Sequence, residues 1–525
     1  MKINLMHLKK PRSIDANLGS LNIGNTIKDA LRLVSLLGER YLWVDCLCIV
    51  QDDLDTKQVY LNAMGSIYAN AYFTIVAADG HNADHGLRGI GQGSRDRAVR
   101  CDIVRFPYNS DVVIHRPRAW YPEDSPWESR AWTFQEALYS RRILIFNGTV
   151  SWFCRTALWQ EHVKTPTEDV AYALTHEPHP YRLHLAARNP TWPDLGSWGE
   201  MVGEFNKRKL TFDKDVIDAF AGITAVFTNQ FSGGILWGIP GMFFDHCMVW
   251  KPRNVLRRRR AHNPALSEDI LPSWSWVAWE GDISLEGAPL ILADHPRLDS
   301  QSTNIQPLAQ WYKSREPTSP LLPVENIGLS LQLNLSKPQS EQLSTGWTQG
   351  QYSDGTCYYT HETVPTVRFR YPVPLTNENA SPLQQFNENG RYLHFKSQRA
   401  RLFLGRELTD DLFNLTNCAG CLVDNEGNWA GTMRINTSRF DSLPKGQSCE
   451  LIALSLATAV NSGAYLGILD EWKLPERPRD SVLYQFYYVM WIEWKRGIAY
   501  RKAVGTVYKP VWEHQVREDV DIILG

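Results

Sequence analysis

Apolar positions recur at helical spacing in the first part of the chain and at strand spacing in the last. Ile27, Ala30, Leu31, Val34 and Leu37 share one helical face, with Thr26 near the start and Gly38 just past the end. Leu42, Val44, Leu47, Ile49 and Val50 form an apolar run over 41–50, which reads as a buried strand interrupted by Asp45 and closed by Gln51-Asp52-Asp53. A second helix is expected from about Asp55 to Asn70, with Val59, Tyr60, Ala63, Met64, Ile67 and Tyr68 on one face. A second buried strand follows over 71–78 and breaks at Asp79-Gly80. Helix, strand, helix, strand at this spacing predicts parallel pairing through crossover helices. Val112–Ile114, a helix over Trp132–Tyr139 and a short strand over 142–146 complete the expected α/β layer, a parallel sheet flanked by helices.

The pattern then changes. Trp198, Met201, Val202 and Phe205, and after them Phe220, Ile223, Val226 and Phe227, mark two helices in a charged stretch. Later come short alternating runs at 327–335, 366–371, 421–423 and 451–456. The last pair, 487–494 and 498–507, reads as a hairpin turned at Lys495-Arg496-Gly497. Residues 295–325 and 373–400 are expected to be long loops. The organisation read from this is an α/β domain over 1–165, a helical connector over 166–244 and a β-rich region over 245–525.

Composition narrows the class. With 43% apolar and 21% charged residues the chain is an ordinary folded protein, and its 20 Trp call for large aromatic cores. A formal net charge of −2 gives no global reason to bind nucleic acid. The nine Cys are odd in number and scattered, so reduced thiols in the cytoplasm are the expectation. The apolar stretch 451–469 is interrupted by Ser455, Asn461, Ser462 and two Gly, which suits two strands joined by an Asn-Ser-Gly turn better than a membrane span.

Two blocks carry a family resemblance. Arg40-Tyr41-Leu42-Trp43-Val44-Asp45-Cys46-Leu47-Cys48-Ile49-Val50-Gln51-Asp52-Asp53 and Arg130-Ala131-Trp132-Thr133-Phe134-Gln135-Glu136 resemble, in wording, order and spacing, the signature segments of the fungal heterokaryon incompatibility (HET) domain. Lys209–Asp215 and Pro272-Ser273-Trp274-Ser275-Trp276 resemble blocks that follow that domain in larger members. The resemblance implies non-self recognition and programmed cell death. The family's opening strand has no counterpart in 1–25, so the domain reads as N-terminally truncated.

The W-x-x-x-E spacing of Trp132 and Glu136, with Ser129 upstream, is similar to the helix of TIR domains whose glutamate serves cleavage of the nicotinamide–ribose bond of NAD. That resemblance implies a TIR-like fold, Glu136 as the catalytic carboxylate, Trp132, Asp45 and Gln51 near the pocket, and NAD as substrate, with no bound cofactor. One carboxylate suits such a step, since the bond breaks toward an oxocarbenium-like sugar. The other reading of Glu136, and the one the residues favour, is a structural carboxylate paired with Arg130, Arg141 or Arg142. Asp45 could pair with Arg40 or Arg130, and Gln51 could satisfy loop amides. The alternative to an enzyme is a signalling module that self-associates or binds a protein partner.

Two further features invite chemistry. Cys46-x-Cys48 would share a face in a strand, and Cys418-x-x-Cys421 has metal-like spacing, but buried thiols acting as small hydrophobes are the expectation for both, with no metal. Arg257-Arg258-Arg259-Arg260 reads as a solvated loop or a nuclear import signal.

Overall fold

The computed structural model describes residues 23–50, 52–91, 96–97, 125–154, 158–161, 192–228, 230–260, 271–285, 303–326, 343, 345–351, 357–369, 372–373, 375, 390–408, 418–437, 439–460 and 469–525. The chain divides into two compact units, Met1–Leu185 with Asp218–Gly222, and Ala186–Ile217 with Ile223–Gly525.

The first unit opens with helix α1, Asn25–Leu36, which buries Ala30, Leu31, Leu33 and Val34. Gly38 ends it as the periodicity anticipates. At φ +74° it takes the left-handed conformation, its N–H reaches the Ser35 carbonyl, and the Glu39 N–H reaches that of Val34, a Schellman closure. Residues 41–50 are not a strand. Tyr41–Val44 lie outside regular structure, and Asp45–Cys48 form a single helical turn, α2. The Asp45 carboxylate accepts the Cys46 N–H at 2.7 Å, and this local Asp–backbone bond favours a helix start over continued extension. Leu47 and Val50 are accordingly 44% and 52% exposed instead of buried.

Helix α3, Leu54–Asn70, is capped by Asp53, which accepts the Thr56 N–H at 3.1 Å. Strand β1 is Thr74–Ala77, helix α4 is Trp132–Tyr139, and strands β2, β3 and β4 are Arg142–Asn147, Thr149–Cys154 and Leu158–Gln160. Strands β1 and β2 pair in parallel, from Thr74↔Ile143 to Ala77↔Phe146. From β2 onward the pairing is antiparallel, so the sheet is mixed and holds one parallel pair. Val76, Ile143, Ile145 and Phe153 pack on one face with Trp127 and Ala137. On the other, Phe146 and Val150 pack with Ala30 and Leu33 of α1, Leu87 and the half-buried Ile75. Each aliphatic side chain buried this way is worth about 1.5–3 kcal/mol. Residues 1–22, over which no opening strand was expected, and 112–114 lie outside the described residues.

The second unit begins with helix α5, Leu195–Asn206, whose Trp198, Met201, Val202 and Phe205 are buried as the spacing predicts. Helix α6, Val216–Thr228, is shared, its Asp218–Gly222 turn belonging to the first unit. Six long antiparallel strands dominate the rest, namely β5 Tyr392–Glu407, β6 Ala419–Val423, β7 Trp429–Ile435, β8 Ser448–Val460, β9 Leu483–Lys495 and β10 Ile498–Tyr508. Successive pairings β5–β6–β7–β10–β9–β8, with β8 returning to β5, close them into a ring. Leu402, Leu404, Leu422, Leu451, Val489, Trp491 and Val507 fill its core together with Trp512 of the short helix α7, Lys509–His514. The β9–β10 hairpin turns at Arg496 and Gly497, both at positive φ (51° and 79°), where the sequence placed it. Primed turns need that sign to match strand twist.

The long loops expected at 295–325 and 373–400 contain ladder strands instead, at Thr303–Pro307, Tyr312–Ser314 and the first half of β5. Their apolar residues are too few to show a period without the neighbours they pair with. Over 451–469 the chain runs as the single strand β8 as far as Val460, and 461–468 lie outside the described residues, as does 327–335. No helix among the described residues is long and apolar enough to cross a membrane.

Candidate functional site

The site of the first unit is assembled by the turn before α4. Ser125 Oγ accepts the Glu128 N–H, the Arg130 N–H reaches the Trp127 carbonyl, and Thr133 Oγ donates to that same carbonyl at 2.6 Å. These bonds fold 125–131 back against the helix, and buried Trp127 directs its indole N–H to Oε2 of Glu136 at 3.1 Å. One turn further on, Ser140 Oγ donates to the Glu136 carbonyl at 2.6 Å and lies 2.5 Å from Thr74 Oγ, which pins the end of α4 to the start of β1. The Tyr68 hydroxyl of α3 bonds the Glu136 carboxyl. Trp43 meets the Tyr68 ring edge-on at 5.8 Å.

Glu136 is half-exposed as a residue, but its carboxyl end is closed in. Desolvation pushes its pKa up, against the Trp127 and Tyr68 hydrogen bonds and the Arg130 charge, which favour the anion, and nearby Asp45 reinforces the rise. Burial raises Tyr68 as well, followed by the charges of Glu136 and Asp45. The result is an acid with a raised pKa, bonded to a tyrosine and a tryptophan, beside an exposed aspartate and an exposed arginine. Such an arrangement can hold a hydroxylated ligand and place negative charge against a developing cation.

The heterokaryon incompatibility protein (HET) family model matches residues 3–136, ending on Glu136 itself. Those residues form a HET domain. A HET domain implies a function related to heterokaryon incompatibility. No curated protein and no solved structure matches the chain significantly.

Within the HET domain the sequence-nominated residues divide. Asp45 comes near enough to Glu136 for its charge to raise that carboxyl, although it sits on the helical turn α2 and not at the end of a strand. Trp132 is half-buried as the first residue of α4, but the indole that bonds Glu136 is Trp127, nine residues away and not four. Gln51 lies outside the described residues. Of the three arginines considered as partners, Arg130 is near Glu136, while Arg142 donates to the Tyr72 carbonyl and lies over its ring. Gln135 of the same motif is buried and has a structural task, its amide donating to the Asp218 and Ala219 carbonyls. Sequence reasoning missed Trp127 and the pairing of Tyr68 with Glu136. Ser125-Pro126-Trp127, a turn signal carrying an aromatic just upstream of W-x-x-x-E, was the available clue.

The second unit's motifs have structural partners. The arginine run is no solvated loop. Arg257 chelates Asp213 through two bonds of 2.8 and 2.7 Å and also pairs with Glu280. Arg258 lies 5.0 Å over the Trp279 ring and donates to the Ala278 and Leu271 carbonyls. Arg259 is 1% exposed and bonds Asn206 and the Val277 and Trp279 carbonyls, and burial draws its pKa down to about 10. The block at 272–276 is a turn running into a 3-10 helix at Trp276–Ala278. The indoles of this segment are spent on backbone, Trp274 on the Arg391 carbonyl at 3.2 Å, Trp276 on that of Gly238 at 2.8 Å and, just beyond the block, Trp279 on that of Ser273 at 2.9 Å.

Cys46 and Cys48 share the α2 turn and not a strand face. Cys418 and Cys421 are buried, and desolvation pushes both thiols up to about 11. Among the described residues no group of three or more His, Cys, Asp and Glu is arranged to hold a metal.

Proposed function

We propose that this protein is an effector of non-self recognition whose HET domain triggers programmed cell death by cleaving the nicotinamide–ribose bond of NAD in the cytoplasm, in the manner of TIR domains. The observation that carries the reading is the desolvated Glu136 carboxyl, bonded by Trp127 and Tyr68 with Asp45 beside it. Tyr68 and Trp43 bring aromatic surface next to it, suited to a cationic pyridinium ring. Exposed Arg130 suits a phosphate. In the step envisaged, the bond between ribose C1′ and the ring nitrogen breaks and its electron pair leaves with neutral nicotinamide. Ionised Glu136 stabilises the oxocarbenium-like sugar, and water adds to C1′ with loss of a proton, giving ADP-ribose. The test is expression of the full chain with nucleotide measurement. NAD should fall, and Glu136→Ala should cut the rate at least ~100-fold and abolish toxicity.

A second reading, a module acting by self-association, draws on the apolar side chains the first unit exposes. Leu36, Leu37 and Val59 are 74%, 54% and 59% exposed. Toxicity that survives Glu136→Ala with NAD unchanged, and is lost on Leu36→Lys with Leu37→Lys, would decide for it.

A further inference from the structure

We infer that Trp127 is a positioning residue for Glu136, its indole N–H holding Oε2 so that the carboxylate meets its ligand in one fixed orientation. The inference rests on the reading of Glu136 as the ligand-facing carboxylate. Three features carry it. The bond from Nε1 to Oε2 is 3.1 Å and links side chains nine residues apart. Trp127 is 7% exposed and packs with Ala137, Val76, Ile143 and Ile145, so its ring is anchored in the core that supports the sheet. Its backbone is fixed by Thr133 and Arg130, and the Glu136 backbone by Ser140, so both ends of the bond are held independently of it. A rigid donor on a rigid element gives an orientation that a free glutamate, with three side-chain torsions, would lack.

The groups that bear on Glu136 are Trp127, Tyr68 of α3, Asp45 of α2 and Arg130. Burial raises the carboxyl, and the indole, which bonds the ionised form, opposes the rise. Removing only the N–H should therefore make Glu136 hold its proton more tightly, whereas loss of a merely packing ring has no reason to do so.

The experiment is a pH titration of the Glu136 carboxyl by infrared difference spectroscopy on the purified full chain, each protein referenced to its own Glu136→Gln counterpart. Trp127→Phe should raise the proton affinity of Glu136 roughly tenfold, as expected for a hydrogen bond to a charged group. A second variant carrying 3-benzothienylalanine at position 127, with sulfur in place of N–H at the same shape, should give the same shift and keeps the test available should the phenylalanine variant fold poorly. With NAD as substrate, the acid limb of the rate profile should move with the midpoint, and kcat should fall with little change in KM. A midpoint unmoved in a folded variant overturns the inference, as does a moved midpoint that leaves the rate profile of an active enzyme where it was. A moved midpoint in a chain that leaves NAD intact bears out the indole's hold and rejects only the cleavage reading.

Discussion

Each unit of this protein contains a carboxylate held by a tryptophan, and the two pairs differ in what is left over. In the second unit Asp245 is 3% exposed. Trp311 donates to one of its oxygens at 2.8 Å and Asn326 to the other, so both are spent. Burial nevertheless lifts Asp245 to about 6. In the first unit Glu136 has the same kind of partner in Trp127 and the same upward shift from burial, but its residue keeps partial exposure and a second carboxylate, Asp45, lies near. Equivalent local chemistry yields a sealed structural group in one place and a candidate site in the other. What separates them is the surroundings: both oxygens of Asp245 are spent on Trp311 and Asn326, whereas Glu136 has the charges of Asp45 and Arg130 beside it.

The comparison predicts the largest loss from the sealed pair. Trp311 is 2% exposed, with its ring centroid 4.3 Å from that of Phe395. Trp311→Ala should cost about 3–5 kcal/mol through its cavity and the orphaned acid. Denaturant unfolding of the full chain measures this, and a loss under 1 kcal/mol would remove the structural half of the contrast.

Next comes pH. Asp245 is raised in the fold, to about 6, so its contribution is complete below the unfolded carboxylate range near ~4 and is lost as pH rises from there through about 6. That rise corresponds to roughly 3 kcal/mol across the window. Asp245→Asn should flatten this part of the stability profile between pH 4 and 7. A profile of unchanged slope in the variant would mean that the sealed acid is not the group titrating.

The smallest stability effect belongs to Glu136. It too is raised, so ionising it costs folding free energy as pH rises above its unfolded value, and neutral Glu136→Gln should be as stable as the parent or more stable by about 1 kcal/mol. Thermal melts of the two proteins at pH 7 check it. A loss of 2 kcal/mol or more would make Glu136 a structural group like Asp245 and erase the difference between the pairs.

Much of the architecture was legible because it follows from local rules. Gly38 and the Arg496-Gly497 turn need positive φ, and the α5 face shows helical period without ambiguity. The run at 41–50 misled because its alternation is a strand's, while the Asp45 carboxylate accepts the neighbouring Cys46 N–H at the start of a helical turn. The arginine run misled for the opposite reason, since four adjacent cations look solvated until Asp213, Glu280, Asn206 and backbone carbonyls arrive from distant segments. At Asp213 burial alone would raise the pKa, but the Arg257 bonds and the Arg260 N–H outweigh it and hold the group low, an outcome no spacing reveals.

The sequence by itself determined the HET domain, the helix bearing Glu136 and the closing hairpin, because motif wording, helical period and turn chemistry are properties of neighbours along the chain. Tertiary structure alone decided that Trp127 and not Trp132 holds Glu136, that Tyr68 and Asp45 join it, and that six strands close into a ring. Hydrogen-bond partners and desolvation depend on distance in space, and residues 45, 68, 127 and 136 share an environment only once α2, α3 and α4 have packed.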